Sequence, residues 1–162
     1  MDGSAPPALS SPIPQLARAC RAIGWAGLLA GTLDITTALV EAGLEGKGPV
    51  FLFQAIAGGL LGMSSFQGGL ATAALGLFCH FLIATTAAAV FYLASRKLKV
   101  LVKHATLSGL LYGVAVYIFM NDFVLPLSAY HTKVAPPHAK DVAILMVMVG
   151  LPISLVVRKY SG

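Results

Sequence analysis

Long apolar stretches, a shortage of charge and a biased placement of lysine and arginine predict an all-α fold. The form they predict is an integral membrane four-helix bundle with an additional short interfacial or re-entrant helix after the first span. Hydrophobic residues make up 57% of the 162-residue chain and charged residues 10%. A soluble domain carries about 25% charged residues, and a chain this poor in charge cannot cover a water-facing surface. The net charge of +5 sits in short clusters between apolar runs. That is an orientation signal for a membrane and not an electrostatic groove, so nucleic acid is not expected as a partner.

The elements follow in chain order. Met1–Gln15 carries Pro6, Pro7, Pro12 and Pro14 among serines and alanines. It reads as a disordered segment, which leaves 16–162 as a single transmembrane domain. Arg18 and Arg21 open the first helix, whose spanning part is 22–43. That run is too long for a signal-peptide core, and no small-residue cleavage site closes it. Gly43, Gly46, Gly48 and Pro49 make a turn. The stretch 50–66, VFLFQAIAGGLLGMSSF, is short and holds Gln54, paired glycines and paired serines; it reads as the interfacial helix. The second span is 69–95, followed by the basic cluster Arg96, Lys97, Lys99 and Lys103. The third is 105–127, closing on Asn121, Asp122 and Pro126. A loop with Pro136–Pro137 leads to the last span, 139–157, which contains Pro152 and ends before Arg158 and Lys159.

Charge fixes the number of crossings. Lysine and arginine favour the cytoplasmic side. With four spans and both termini cytoplasmic, eight of the eleven basic residues fall inside, and only Lys47, Lys133 and Lys140 fall outside. If 50–66 also crossed, the strongest basic cluster would lie opposite Arg18 and Arg21.

Lipid tails are as apolar as leucine, so close backbone approach at small residues must associate the helices. Gly27-x-x-x-Gly31, Gly58-x-x-x-Gly62 and Gly109-x-x-x-Gly113 are the expected packing positions. The expected surroundings are the lipid bilayer, and other membrane-protein subunits or a second copy of the chain.

Asp34 stands out inside the first span. It lies on a stripe with Gly24, Gly27, Gly31, Ala38 and Glu41. A carboxylate there must face protein, because lipid cannot solvate it. His80 lies mid-way along the second span on a small-residue face, at a depth within about a turn of Asp34 if the two helices are antiparallel. Asn121, Asp122 and Gln54 are the other members expected in this polar cluster. Thr36 and Thr37 are expected to bond their own helix. Cys20 and Cys79 read as small buried hydrophobes. No catalytic residue, metal site or cofactor is expected: His131 and His138 have no standard ligand spacing, and no nucleophile motif or phosphate loop is present.

The segments 30–35 (AGTLDI), 54–62 (QAIAGGLLG), 68–80 (GGLATAALGLFCH) and 108–126 (SGLLYGVAVYIFMNDFVLP) resemble a family of bacterial four-helix inner-membrane proteins without an established activity. A more distant similarity is to the YagU-like inner-membrane proteins. The resemblance implies a multi-pass bacterial inner-membrane protein and brings no catalytic residue. Two functional readings remain open at this point. One is a structural or accessory membrane component; the other is a small proton-coupled carrier or channel using Asp34 and His80.

Overall fold

The computed structural model describes residues 12–129 and 138–161, and within them every regular element is helical. Helix α1 is Pro12–Leu44. Helix α2, Pro49–Leu61, runs into a 3-10 segment, Gly62–Gln67. Helix α3 is Gly69–Lys97, and α4 is a single turn, Val100–Lys103. Helix α5, Ala105–Phe119, passes through a π turn, Met120–Val124, into α6, Leu125–Leu127. Helix α7, Ala139–Leu145, passes through a second π turn, Met146–Gly150, into α8, Leu151–Tyr160. Among the described residues five stretches are long and apolar enough to cross a membrane: Gln15–Leu44, Pro49–Gln67, Gly69–Lys97, Ala105–Leu127 and Ala139–Tyr160.

Three element boundaries differ from the expectation. Helix α1 begins at Pro12 and so takes in the end of the segment read as disordered; residues 1–11 lie outside the described residues. A proline in the first turn gives up an N–H that has no intrahelical partner, so Pro12 and Pro14 start the helix at little cost. The last helix runs on to Tyr160, with Arg158 and Lys159 in its final turn, where cations favour the helix dipole. Gly62 was expected on a packing stripe with Gly58. Gly58 is buried, but Gly62 ends α2, with φ +61° and its N–H bonded to the Gly58 carbonyl. Only glycine enters that conformation freely.

The second proline effect is inside the bundle. Pro126 and Pro152 each stand two residues beyond a π turn. The wide turns are visible in their hydrogen bonds: Leu125 N–H reaches the Met120 carbonyl, and Leu151 N–H reaches the Met146 carbonyl. Proline cannot donate to the carbonyl four residues back, and its ring collides with that carbonyl in a regular helix. Widening the turn relieves the collision without breaking the helix.

Glycines set the packing. On α1, a Cβ at Gly27 would stand 2.7 Å from the Thr85 Cα, and one at Gly31 would stand 2.9 Å from the Phe81 ring. The partner on α3 steps back from 85 to 81 as α1 advances from 27 to 31, so the two helices are antiparallel. On α5, a Cβ at Gly109 would run into Ser154 and the Gly150 carbonyl, and one at Gly113 would stand 2.6 Å from the Leu145 carbonyl. Gly150 returns the contact against Gly109 and Gly113. That interlocked set holds α5 against α7 and α8, again antiparallel.

The core lies where α1, α3 and α8 meet. Ala22, Ala26 and Ala30 of α1 pack with Ala88, Phe91 and Tyr92 of α3 and with Val149, Ile153 and Val157. Tyr112 of α5 crosses to α3, with its ring 5.0 Å from Phe91 and its hydroxyl donating to the Ala87 carbonyl at 2.7 Å. A tyrosine hydroxyl in an apolar interior needs such a partner.

The α2 segment doubles back. Its 13 helical residues cover about 20 Å, yet Phe66, beyond its end, stacks near Phe51 at its start, with ring centroids 5.1 Å apart. Gln54 donates to the Gly69 carbonyl at 3.0 Å, tying the first turns of α2 to the first residue of α3. A Cβ at Gly76 would strike the Phe53 carbonyl, so α2 also lies tight against α3.

Candidate functional site

The antiparallel pairing of α1 and α3 brings Asp34 and His80 to one cavity of about 340 Å³. All five long helical stretches contribute to its wall. Its polar lining is Asp34, His80, Tyr117, Asn121 and Asp141. Its apolar lining includes Ala30, Ile56, Ala84, Ala87, Val116 and Val149. Among the described residues no lysine, arginine, serine or cysteine lines it. The arrangement sets ionisable and hydrogen-bonding groups against an apolar wall.

His80 does not hydrogen-bond Asp34. Its Nε2 lies 2.8 Å from the Gly31 carbonyl oxygen. A carbonyl only accepts, so Nε2 carries the proton and donates. The bond exists because Gly31 lets α3 close on the α1 backbone. Asp34, three residues further along α1, makes no side-chain hydrogen bond or ion pair among the described residues. It is half-buried, faces the cavity, and interacts through space with His80 and Glu41.

Of the other residues expected here, the structure brings in Asn121 and leaves out two. Asn121 lies on the cavity wall inside the first π turn and donates to the Tyr117 carbonyl at 3.0 Å. Asp122 is exposed and outside the cavity. Neighbours on a helix point about 100° apart, so only one of the pair can face inward. Gln54 is also outside: its amide is spent on Gly69, so it fastens α2 to α3 and does not serve the cluster. Ile56 is the α2 residue that reaches the cavity.

Sequence reasoning missed Tyr117 and Asp141, to which it gave no part in the polar cluster. Asp141 falls at the start of the last span, as expected; it sits in the first turn of α7, where a carboxylate is favoured by the helix dipole. The spacing of Tyr117 and Asn121, one helical turn apart, was the available signal for the first. The neighbouring Lys140 is drawn away from the cavity, bonding Glu41 at 2.7 Å across to α1.

Other sequence readings find their places. Thr36 and Thr37 donate to the carbonyls of Thr32 and Leu33. Cys20 is exposed and Cys79 half-buried, so neither is a fully buried hydrophobe. His131 lies outside the described residues. Among the described residues no three His, Cys, Asp or Glu side chains converge as a metal ion requires. A larger groove of about 620 Å³ runs between α1 and α3, past Arg21, Trp25, Leu28 and Phe81. It is mostly apolar and has no convergent polar set among the described residues.

No family model, curated protein or solved structure matches the chain.

Proposed function

We propose that this chain is a four-crossing protein of the bacterial inner membrane whose cavity around Asp34 takes up a proton or a small solute. The observation that carries this reading is the split between His80 and Asp34. His80 is used to hold α1 against α3. Asp34 is left facing a cavity with no helix-packing duty. An ionisable group inside a membrane is costly and rarely idle.

The four-crossing arrangement draws support from three contacts. The antiparallel register of α1 and α3, carried along both helices, sets Leu44 beside the start of α3. Phe66 returns to Phe51, and Gln54 bonds Gly69. In this arrangement α2 and its 3-10 segment leave one face and come back to it, forming a cap at the Asp34 end of the bundle. Eight of the eleven basic residues then share the opposite, cytoplasmic face with both ends of the bundle. The bacterial inner membrane itself rests on the resemblance of the four sequence segments.

A second reading, a structural or accessory membrane component, is favoured by the interlocked Gly109, Gly113 and Gly150. Reconstitution in liposomes separates the two. Proton or solute flux is followed for wild type, Asp34→Asn and His80→Ala, with thermal stability measured alongside. The carrier reading expects Asp34→Asn to abolish flux at unchanged stability. It expects His80→Ala to lower stability by about 1 kcal/mol, the worth of one interhelical hydrogen bond in a membrane. Equal flux in wild type and Asp34→Asn leaves only the structural reading.

A further inference from the structure

We infer that the solute is a small organic ammonium ion, a protonated amine carrying an apolar body. This rests on the reading of the cavity as a solute site and adds the chemical class. The cavity is lined by two carboxylates, Asp34 and Asp141, and among the described residues by no lysine or arginine. Among the described residues its one basic side chain is His80, which donates its Nε2–H to the Gly31 carbonyl. Lys140, the sequence neighbour of Asp141, has its ammonium held 2.7 Å from Glu41 and off the cavity lining. Among the described residues the lining thus holds two carboxylates and one imidazole, and no lysine or arginine. Two carboxylates outnumber the one imidazole, so with both ionised in a low-dielectric site one is left to be matched by a cation from outside.

Size and shape narrow the ion. About 340 Å³ is at the small end of sites that enclose organic molecules. A bare metal ion would leave most of it empty and would find no third carboxylate, thiol or imidazole converging with it among the described residues. The rest of the wall is alanine, valine, isoleucine, leucine, methionine and glycine, which suits a hydrocarbon body and not a second charged group. Asn121 and the Tyr117 hydroxyl give the ammonium further oxygen acceptors. The Glu41–Lys140 pair stands at the same end of the bundle as Asp141, so an arriving ammonium meets Glu41 as a first carboxylate and competes with Lys140 for it.

The test is saturable binding to the full chain in lipid nanodiscs, using three radiolabelled probes of one shape. These are 2-phenylethylammonium, the neutral 2-phenylethanol and the anionic phenylacetate. The expected result is saturable binding of the ammonium, at least tenfold tighter than either analogue. A loss of at least tenfold in Asp34→Asn and a smaller loss in Asp141→Asn are also expected. Comparison of the three probes on wild type needs no variant to fold. If 2-phenylethanol or phenylacetate binds as tightly as the ammonium and still depends on Asp34, the cavity is a solute site and the ammonium class is overturned. If none of the probes binds saturably, or ammonium binding is unchanged in Asp34→Asn, both the class and the solute-site reading fall.

Discussion

Gly113 and Gly24 show what single residues do in this protein. A Cβ at Gly113 would meet Leu145 and Met146 backbone, whereas one at Gly24 would meet nothing within 4 Å. Gly113→Ala should therefore cost about 1–3 kcal/mol through forced backbone movement. Gly24→Ala should be neutral or slightly stabilising, since alanine is the better helix former. Thermal unfolding in detergent reads both. Ser65 offers the opposite sign. Its hydroxyl is fully buried with no partner among the described residues. Removing an unsatisfied buried polar group is expected to stabilise, so Ser65→Ala should gain about 1 kcal/mol. At this scale much was legible in the sequence. Asp34, His80, Gly27, Gly31, Gly109 and Gly113 stood out as polar or small groups in apolar runs. Gly150 and Asp141 did not, because their roles come from the partner helix and no sequence-local pattern marks them. Gln54 misled for the same reason: a buried amide in a membrane helix reads as functional until its acceptor is known.

The helices carry a feature that belongs to elements and not to residues. Pro126 and Pro152 each impose a wide turn, and each turn places a residue on the cavity, Asn121 in one and Val149 in the other. A proline inside a span implies a kink. The sequence cannot tell a kink from a π turn, since the choice depends on what the neighbouring helix allows. Pro126→Ala restores a donor for the Asp122 carbonyl and lets the turn close. Closing it removes one residue from the turn and rotates the flanking residues by about 100° relative to each other. The variant should be more stable by about 1 kcal/mol, one added hydrogen bond, and should bind the ammonium probe several-fold more weakly as Asn121 leaves the wall. Unfolding and binding on the same sample check the pair of effects. Higher stability with unchanged binding would mean that the π turn has no part in shaping the cavity.

For the whole molecule, the helical class was readable from composition, and four of the helical stretches from their length and charge flanks. The fate of 50–66 was not readable from length and composition alone, which make it a fifth candidate crossing. What distinguishes it is tertiary: the return of Phe66 to Phe51 and the bond from Gln54 to Gly69. The proposed cap over the Asp34 cavity depends on that return. The direct measurement is labelling of single cysteines with a membrane-impermeant thiol reagent. The background is a Cys20→Ser, Cys79→Ser chain, and the sites are Lys47→Cys, Gln67→Cys and Lys99→Cys. The account predicts that positions 47 and 67 label from one face and position 99 from the other. Labelling of 47 and 67 from opposite faces would show that α2 crosses the membrane, and would contradict both the four-crossing arrangement and the capped cavity.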